Sequence, residues 1–317
     1  MRLQGKICLT AHRLYAGGVV MKIRMVSALL LSVMVLLLLF SQEAAQAVRQ
    51  NLQLCALSVV PALFPFFVLS SLFLSCGGAA LTALPLPAFA ARLLGCSPQG
   101  ISVFFLSLLG GYPTGPRLIA QLYRQGQLSR QEAEHLLLFA NNAGPAFVLG
   151  FVGLGQLGSL RSGFLLYLIH AATAALIAVL FRPKQPFFSP RAQPADPPLA
   201  EALVGAIAEA GSTMVQICAF VTFFGTVLQL FSQLIRLSHP LVLGVVELTC
   251  GILHLGNSRC GFTVACALLG WGGLSVHCQT AAVLSGAGLS LRNHLRGKLL
   301  HGIFAAFCGF FVAFLFG

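Results

Sequence analysis

Charge is scarce in this sequence: only 8% of its 317 residues are Asp, Glu, Lys or Arg, and just 7 of them are acids. A soluble domain carries about 25% charged residues to clothe its surface. So few cannot cover a 33.5 kDa globule in water, which excludes an ordinary soluble enzyme or binding module. Disorder is excluded from the other side, because a disordered chain needs little hydrophobicity and much charge. Here 57% of residues are hydrophobic and the mean hydropathy is +0.90. What remains is a multi-span membrane protein.

Ligand and catalytic motifs are missing as well. The 10 cysteines form no Cys-x-x-Cys pair, and most sit in apolar runs (Cys55, Cys218, Cys266, Cys308), where a thiol behaves as a small hydrophobe. Cys250 and His254 lie one helical turn apart with Cys260 nearby, but a structural zinc site takes four ligands at tight spacing. No metal and no other cofactor is expected. Gly-x-Ser-x-Gly, His-Glu-x-x-His and paired membrane aspartates are all absent, so the chain does not read as an enzyme. The 19 Lys and Arg give a net charge of +12, yet they are dispersed between apolar stretches without interleaved aromatics. That pattern is positive-inside loop charge rather than a nucleic-acid-binding surface.

Four segments follow from the pattern of apolar runs: a basic N-terminal segment 1–24, a first membrane half 25–181, a proline-rich linker 182–201 and a second half 202–317. The run from Met25 to Phe40, followed by Ala45-Gln46-Ala47, reads either as a cleavable signal peptide or as a retained first span. Retention fits better, because everything downstream is also apolar; Met21 and Met25 are alternative starts. Cys55 to Cys76 is an apolar stretch interrupted by Pro61 and Pro65, and Leu81 to Leu94 reads as a loop with an interfacial helix. Ile101 to Leu109 is too short to cross about 30 Å of hydrocarbon. It runs into Gly110-Gly111-Tyr112-Pro113-Thr114-Gly115-Pro116 and returns from Arg117 to Arg124, the pattern of a re-entrant hairpin. Ser129-Arg130-Gln131-Glu132 is a capping box that starts a helix. That helix meets Asn141-Asn142-Ala143-Gly144-Pro145 and then resumes. In the second half, Val204 to Phe231 and Leu241 to Leu255 read as spans, the latter containing Glu247. Phe262 to Leu269 is again short and ends at Gly270-Trp271-Gly272-Gly273.

A shift of 161 positions places Gly111 on Gly272, Thr114 on Ser275, Ala120 on Ala281 and Leu128-Ser129 on Leu289-Ser290. Interrupted apolar segments at matching places in two halves are the best sequence pointer to a transporter's binding site. Parallel and inverted arrangements both remain open. Thr114 and Ser275 are placed to cap the helices after the breaks, so that free N–H groups and the positive helix ends face an anion. Arg117 either adds a guanidinium fork for a carboxylate or snorkels to an interface. Asn141 and Asn142 either orient solute or tie down carbonyls freed by Pro145. His277 and Gln279 line the second break. Glu247, an acid at membrane depth, either couples a proton or cation to transport or locks the fold by pairing with Arg236, His254 or Arg259.

Together, Gly111-Tyr112-Pro113-Thr114-Gly115, Asn141-Asn142-Ala143-Gly144-Pro145 and Gly272-Gly273-Leu274-Ser275-Val276-His277-Cys278-Gln279 resemble the sporulation integral membrane protein family of the YlbJ type. Pro61-Ala62-Leu63-Phe64-Pro65-Phe66-Phe67 and Glu247-Leu248-Thr249-Cys250-Gly251 belong to the same resemblance, which runs from about Ala44 to the C-terminus. It implies membership of the nucleoside-recognition, or gate, domain group. It also implies transport of dipicolinic acid into the developing spore across the outer forespore membrane. The expectation is an all-α polytopic membrane protein with two related halves, each bearing a re-entrant or broken-helix element, that moves a small organic anion across the lipid bilayer. Its rivals are a non-transporting scaffold of spore maturation and a nucleoside-type transporter. Thr114, Arg117, Asn141, Asn142, Ser275, His277 and Gln279 are the expected solute contacts. Gly111, Pro113, Gly115, Gly144, Pro145, Gly272 and Gly273 make the breaks.

Overall fold

A computed structural model describes residues 23–76, 85–185, 187 and 198–316, all of them helix, turn or loop. Nearly all of the basic segment 1–24 and most of the linker 182–201 lie outside the described residues. The first helix, α1 (Ile23–Leu39), bends by 96° into α2 (Ser41–Leu54). A π-helical turn at Cys55–Val59 then leads into α3 (Val60–Ser75). Pro61 has no N–H and its ring crowds the preceding turn, so the helix widens by a residue just ahead of it.

After α4 (Pro85–Leu94), α5 (Pro98–Gly110) starts at Ser97, whose Oγ accepts from the Gly100 N–H at 3.1 Å. It stops at Gly111, where φ is 78°, a left-handed backbone that glycine adopts freely. Beyond Tyr112 and Pro113, α6 (Thr114–Arg124) doubles back along α5. A Cβ on Gly115 would lie 3.0 Å from that of Ser107, whereas residues that far apart on a straight helix are separated by about 12 Å. The expected hairpin is there. Ser129 caps α7 (Arg130–Leu136), accepting from the Glu132 N–H at 3.2 Å. The Glu132 carboxylate does not close the capping box. It accepts instead from the Ser97 N–H at 2.7 Å, fastening α7 to the start of α5. The Asn141–Pro145 break, a π-helical segment Ala146–Gln156 and α8 (Leu160–Leu180) complete the first half.

The second half comprises α9 (Leu199–Leu234), α10 (Pro240–Val246), α11 (Leu248–Leu253), α12 (Arg259–Trp271), α13 (Gly273–Ser285) and α14 (Leu291–Phe316). Two expectations change here. The single span expected from Leu241 to Leu255 is broken at Glu247, whose backbone is extended at φ −134° and ψ 116°. Its carboxylate accepts from the Cys250 N–H at 2.7 Å, so this acid begins a new helix rather than sitting inside one. The second glycine-rich break does not make a hairpin. Gly272, at φ 89°, and Gly273, at φ 83°, interrupt the helix, which restarts at once, and Arg259–Ser285 runs on as 27 residues of apolar helix. Three residues, Pro113 among them, turn the chain at the first break, whereas two glycines alone mark the second.

Among the described residues, four helices are long and apolar enough to cross a membrane: Leu160–Leu180, Leu199–Leu234, Arg259–Ser285 and Leu291–Leu315. The bent pair α1–α2 makes a fifth if counted as one span. Inward faces form three apolar cores, one of them between α3 and α9. Outward faces are apolar too: Val215 is 71% exposed and Phe314 70%, a surface that only lipid or another apolar partner covers well. The protein is an all-α polytopic membrane protein. Within it, α5 and α12 have 13 residues each, lie 161 positions apart, and start at the serine caps Ser97 and Ser258.

Candidate functional site

The helix interruptions meet in pairs. At Gly111 and Gly144 the hairpin tip and the Asn141–Pro145 break touch backbone to backbone: a Cβ on either would come within 3.1 Å of the other's nitrogen. The break at Gly273 lies equally close to the one at Glu247, with a Cβ there 3.0 Å from Leu248 N and 3.1 Å from Gly244 O. The Tyr112 hydroxyl joins the pairs by donating to the Leu269 carbonyl. Between them lies a cavity of about 350 Å³, lined by Gly111, Tyr112, Gly144, Glu247, Val276 and Gln279 among others. Most of its wall is apolar, with a few convergent polar groups, the usual make-up of a small-molecule site.

The expected solute contacts divide around this cavity. Gln279 and Glu247 line it. Glu247 is 3% exposed and forms no ion pair among the described residues; His254 instead meets the Cys250 carbonyl at 2.8 Å. The expected lock with Arg236, His254 or Arg259 is therefore replaced by a helix cap. Thr114 and Ser275 are buried beside the breaks, but neither caps a helix. The helices begin at Thr114 itself and at Gly273, which puts both hydroxyl residues inside the first turn, past the capping position. Ser275 Oγ accepts from Gln279 Nε2 at 3.3 Å, and Thr114 Oγ1 is buried with no partner among the described residues.

Asn141 and Asn142 hold the break together. Asn142 Nδ2 donates to Ser107 Oγ on α5 and to the Phe139 carbonyl, both at 2.9 Å, and Asn141 Nδ2 donates to Thr280 Oγ1 on α13 at 3.1 Å. Both side-chain oxygens are buried without a donor among the described residues. Arg117 lies outside the cavity wall. Its guanidinium faces α3, donating to Ser71 Oγ at 2.6 Å, the Phe67 carbonyl at 3.0 Å and Ser70 Oγ at 3.2 Å. Glu209 of α9 stands 3.6 Å away. Arg117 thus ties the hairpin to α3 and α9. Arg117→Ala strands these acceptors and is expected to cost about 3 kcal/mol, read as a lowered thermal midpoint in detergent.

Sequence reasoning passed over the most polar part of the interior. Lys298 on α14 is 2% exposed. Its Nζ donates to the Asn141 carbonyl at 3.1 Å, the acceptor that Pro145, lacking an N–H, leaves free. It also lies 4.8 Å from the centre of the Tyr112 ring, and a Cβ on Gly272 would touch its Cε at 3.6 Å. One side chain thus reaches three of the breaks. Buried His294 and His301 stand one helical turn either side of it on α14, and buried His277 and His170 pack against them, with ring centroids 5.1 and 4.4 Å apart. His170 Nε2 accepts from the Ala143 N–H at 3.0 Å, and His277 pairs with His294 at 3.0 Å. A signal was present. His294, Lys298 and His301 fall at i, i+4 and i+7, a polar stripe on one face of an apolar last helix.

No protein-family profile matches the chain, and no solved structure matches it. The chain is similar to the sporulation integral membrane protein YlbJ of Bacillus subtilis (strain 168), 26% identical over 311 residues that cover 84% of this chain and 76% of that protein. The similarity agrees with the resemblance carried by the Tyr-Pro-Thr-Gly, Asn-Asn-Ala-Gly-Pro and Gly-Leu-Ser-Val-His segments, and places this polytopic membrane protein beside an integral membrane protein of sporulation.

Proposed function

We propose that this protein transports a small organic anion across a membrane, with the cavity between the helix breaks as its binding site. The observation that carries the reading is the convergence of three helix interruptions, at Gly111, Gly144 and Glu247, on one mostly apolar cavity that α13 also lines, inside a polytopic all-α protein. Non-helical backbone at membrane depth is tolerated where it is buried in protein or lines a cavity, and secondary transporters place their sites at such discontinuities. Two related halves fit the same reading. The serine-capped 13-residue helices α5 and α12 both end at glycines of positive φ, Gly111 and Gly272, at one constant spacing. The gate-domain resemblance implies dipicolinate as the solute and the outer forespore membrane as its place. A compact aromatic dicarboxylate suits a chamber of about 350 Å³ with apolar walls and a few polar groups.

The test is uptake of labelled dipicolinate by proteoliposomes holding the purified full chain. Accumulation several-fold above protein-free vesicles is expected, and is to be competed by unlabelled dipicolinate but not by a nucleoside. Uptake equal to that of empty vesicles under every imposed ion gradient would overturn the transport reading in favour of an assembly role in the membrane.

A further inference from the structure

Lys298 has no counter-charge among the described residues. No carboxylate lies within 4.0 Å of its ammonium among the described residues, although the side chain is 2% exposed. Its contacts are a carbonyl and an aromatic face, Asn141 O at 3.1 Å and the Tyr112 ring at 4.8 Å; His294 and His301 stand one helical turn either side of it on α14, with His277 paired to the first at 3.0 Å and the His170 ring 4.4 Å from the second. A buried cation in such surroundings costs several kcal/mol unless it is paired. These residues also have unused hydrogen-bonding capacity. Asn141 Oδ1, His170 Nδ1, His277 Nε2 and His294 Nδ1 are all buried with no partner among the described residues. His170 Nε2 accepts from a backbone N–H, so His170 Nδ1 carries the proton and is an unspent donor. In the His277–His294 pair one inner nitrogen must donate and the other accept. Whichever tautomer forms, one outer nitrogen is therefore a free N–H donor. A cation with spare donors around it is what a carboxylate needs.

We propose that Lys298 is the counter-charge of a carboxylate subsite within the solute pathway, and that Tyr112 is the wall between that subsite and the main cavity. The inference rests on the transport reading for its route, since Tyr112 lines the cavity while its ring covers the ammonium. A solute carboxylate reaches Lys298 when the Tyr112 ring swings away and gives up its hydrogen bond to the Leu269 carbonyl. The solute's ring then takes the place of tyrosine against the apolar wall. The subsite accepts carboxylates attached to small flat groups and rejects neutral isosteres, because an uncharged amide leaves the ammonium unpaired.

The experiment compares picolinate with picolinamide, which have the same ring and differ in the charge of one group, alongside dipicolinate, on the purified full chain. In the wild type, picolinate is expected to bind at least about thirtyfold more tightly than picolinamide, the factor expected for losing one partner of a buried charge pair. Lys298→Met is expected to erase that preference while raising the ligand-free thermal midpoint, because an unpaired buried cation is gone. Lys298→Gln, which can still donate to the Asn141 carbonyl, is the second variant should the methionine form not fold; a side chain that only satisfied Asn141 would leave its ligand preference unchanged. Equal binding of picolinate and picolinamide to the wild type overturns the subsite, as does either variant keeping the wild-type preference. The two readings fail separately. Charge-selective binding lost in the variants, with no uptake by wild-type vesicles, removes transport and keeps the subsite; uptake with an unchanged KM in the variants removes the subsite and keeps transport.

Discussion

Gly115→Ala is expected to leave little or no folded protein in the membrane. The added Cβ would sit 1.5 Å from the Ala140 carbonyl oxygen and 2.7 Å from its carbon. Both are backbone atoms, so no rotamer change relieves the clash. Overpacking a core costs about 1–3 kcal/mol when side chains can shift; here a whole helix start must move, and the cost lies at or above the top of that range. Moving α6 also parts Gly111 from Gly144 and draws Asn142 from Ser107 Oγ, now at 2.9 Å. Gly150→Ala is the matched control. It lies in the π-helical segment and its Cβ would meet nothing within 4 Å. Size-exclusion profiles of fluorescent fusions read the outcome: a monodisperse peak below about one-tenth of wild type for Gly115→Ala, and a wild-type peak for Gly150→Ala. A normal peak for Gly115→Ala would mean that the hairpin tip does not rest on the Asn141–Pro145 break.

The places where helices break were legible because glycine and proline act locally. Gly111 and Gly272 take a left-handed backbone that ends a helix, Pro113 and Pro145 lack the N–H that continues one, and Gly144 lies in the break ahead of Pro145. What the breaks pack against was not legible, because Gly111 with Gly144, and Gly273 with Gly244, are matters of tertiary packing. Helix starts were misjudged by only a residue or two, yet that was enough to turn Thr114 and Ser275 from caps into first-turn residues. Arg117 was placed on the correct helix but faces α3 and α9, since burial of its guanidinium needed Ser70, Ser71 and Glu209, which no local pattern connects to it. Lys298 went unnoticed for a different reason. A lone lysine in a C-terminal helix looks like loop charge until His294 and His301 are read as its neighbours on one face. The scarcity of charge then gains a sharper meaning: with acids and bases so few, one buried without an ion pair is exceptional, and among the described residues Lys298 and Glu247 are two such cases.

Glu247→Gln is the second substitution with a large expected effect, and it separates two roles that the carboxylate can play. As a cap, Glu247 needs only an oxygen to accept from the Cys250 N–H, now at 2.7 Å. Glutamine supplies one, so a purely structural residue tolerates the change, whereas Glu247→Ala loses the cap at a cost of about 1 kcal/mol. As a coupling group, Glu247 must gain and lose a proton or a cation, and glutamine does neither. Its setting favours coupling: the residue lines the cavity between the helix breaks, is 3% exposed, and has no cationic side chain paired with it among the described residues. An acid at membrane depth with no charged partner among the described residues is a functional group by default. Gradient-driven dipicolinate uptake is therefore expected to fall at least about tenfold in Glu247→Gln, equivalent to about 1.4 kcal/mol. Exchange of internal for external dipicolinate, which needs no net movement of a coupling ion, should persist. The fold control is the thermal midpoint, expected to match wild type for glutamine and to drop for alanine. Wild-type gradient response in Glu247→Gln would reduce the residue to a helix cap. Loss of exchange together with loss of driven uptake, at an unchanged midpoint, would move it from coupling to the binding of solute itself.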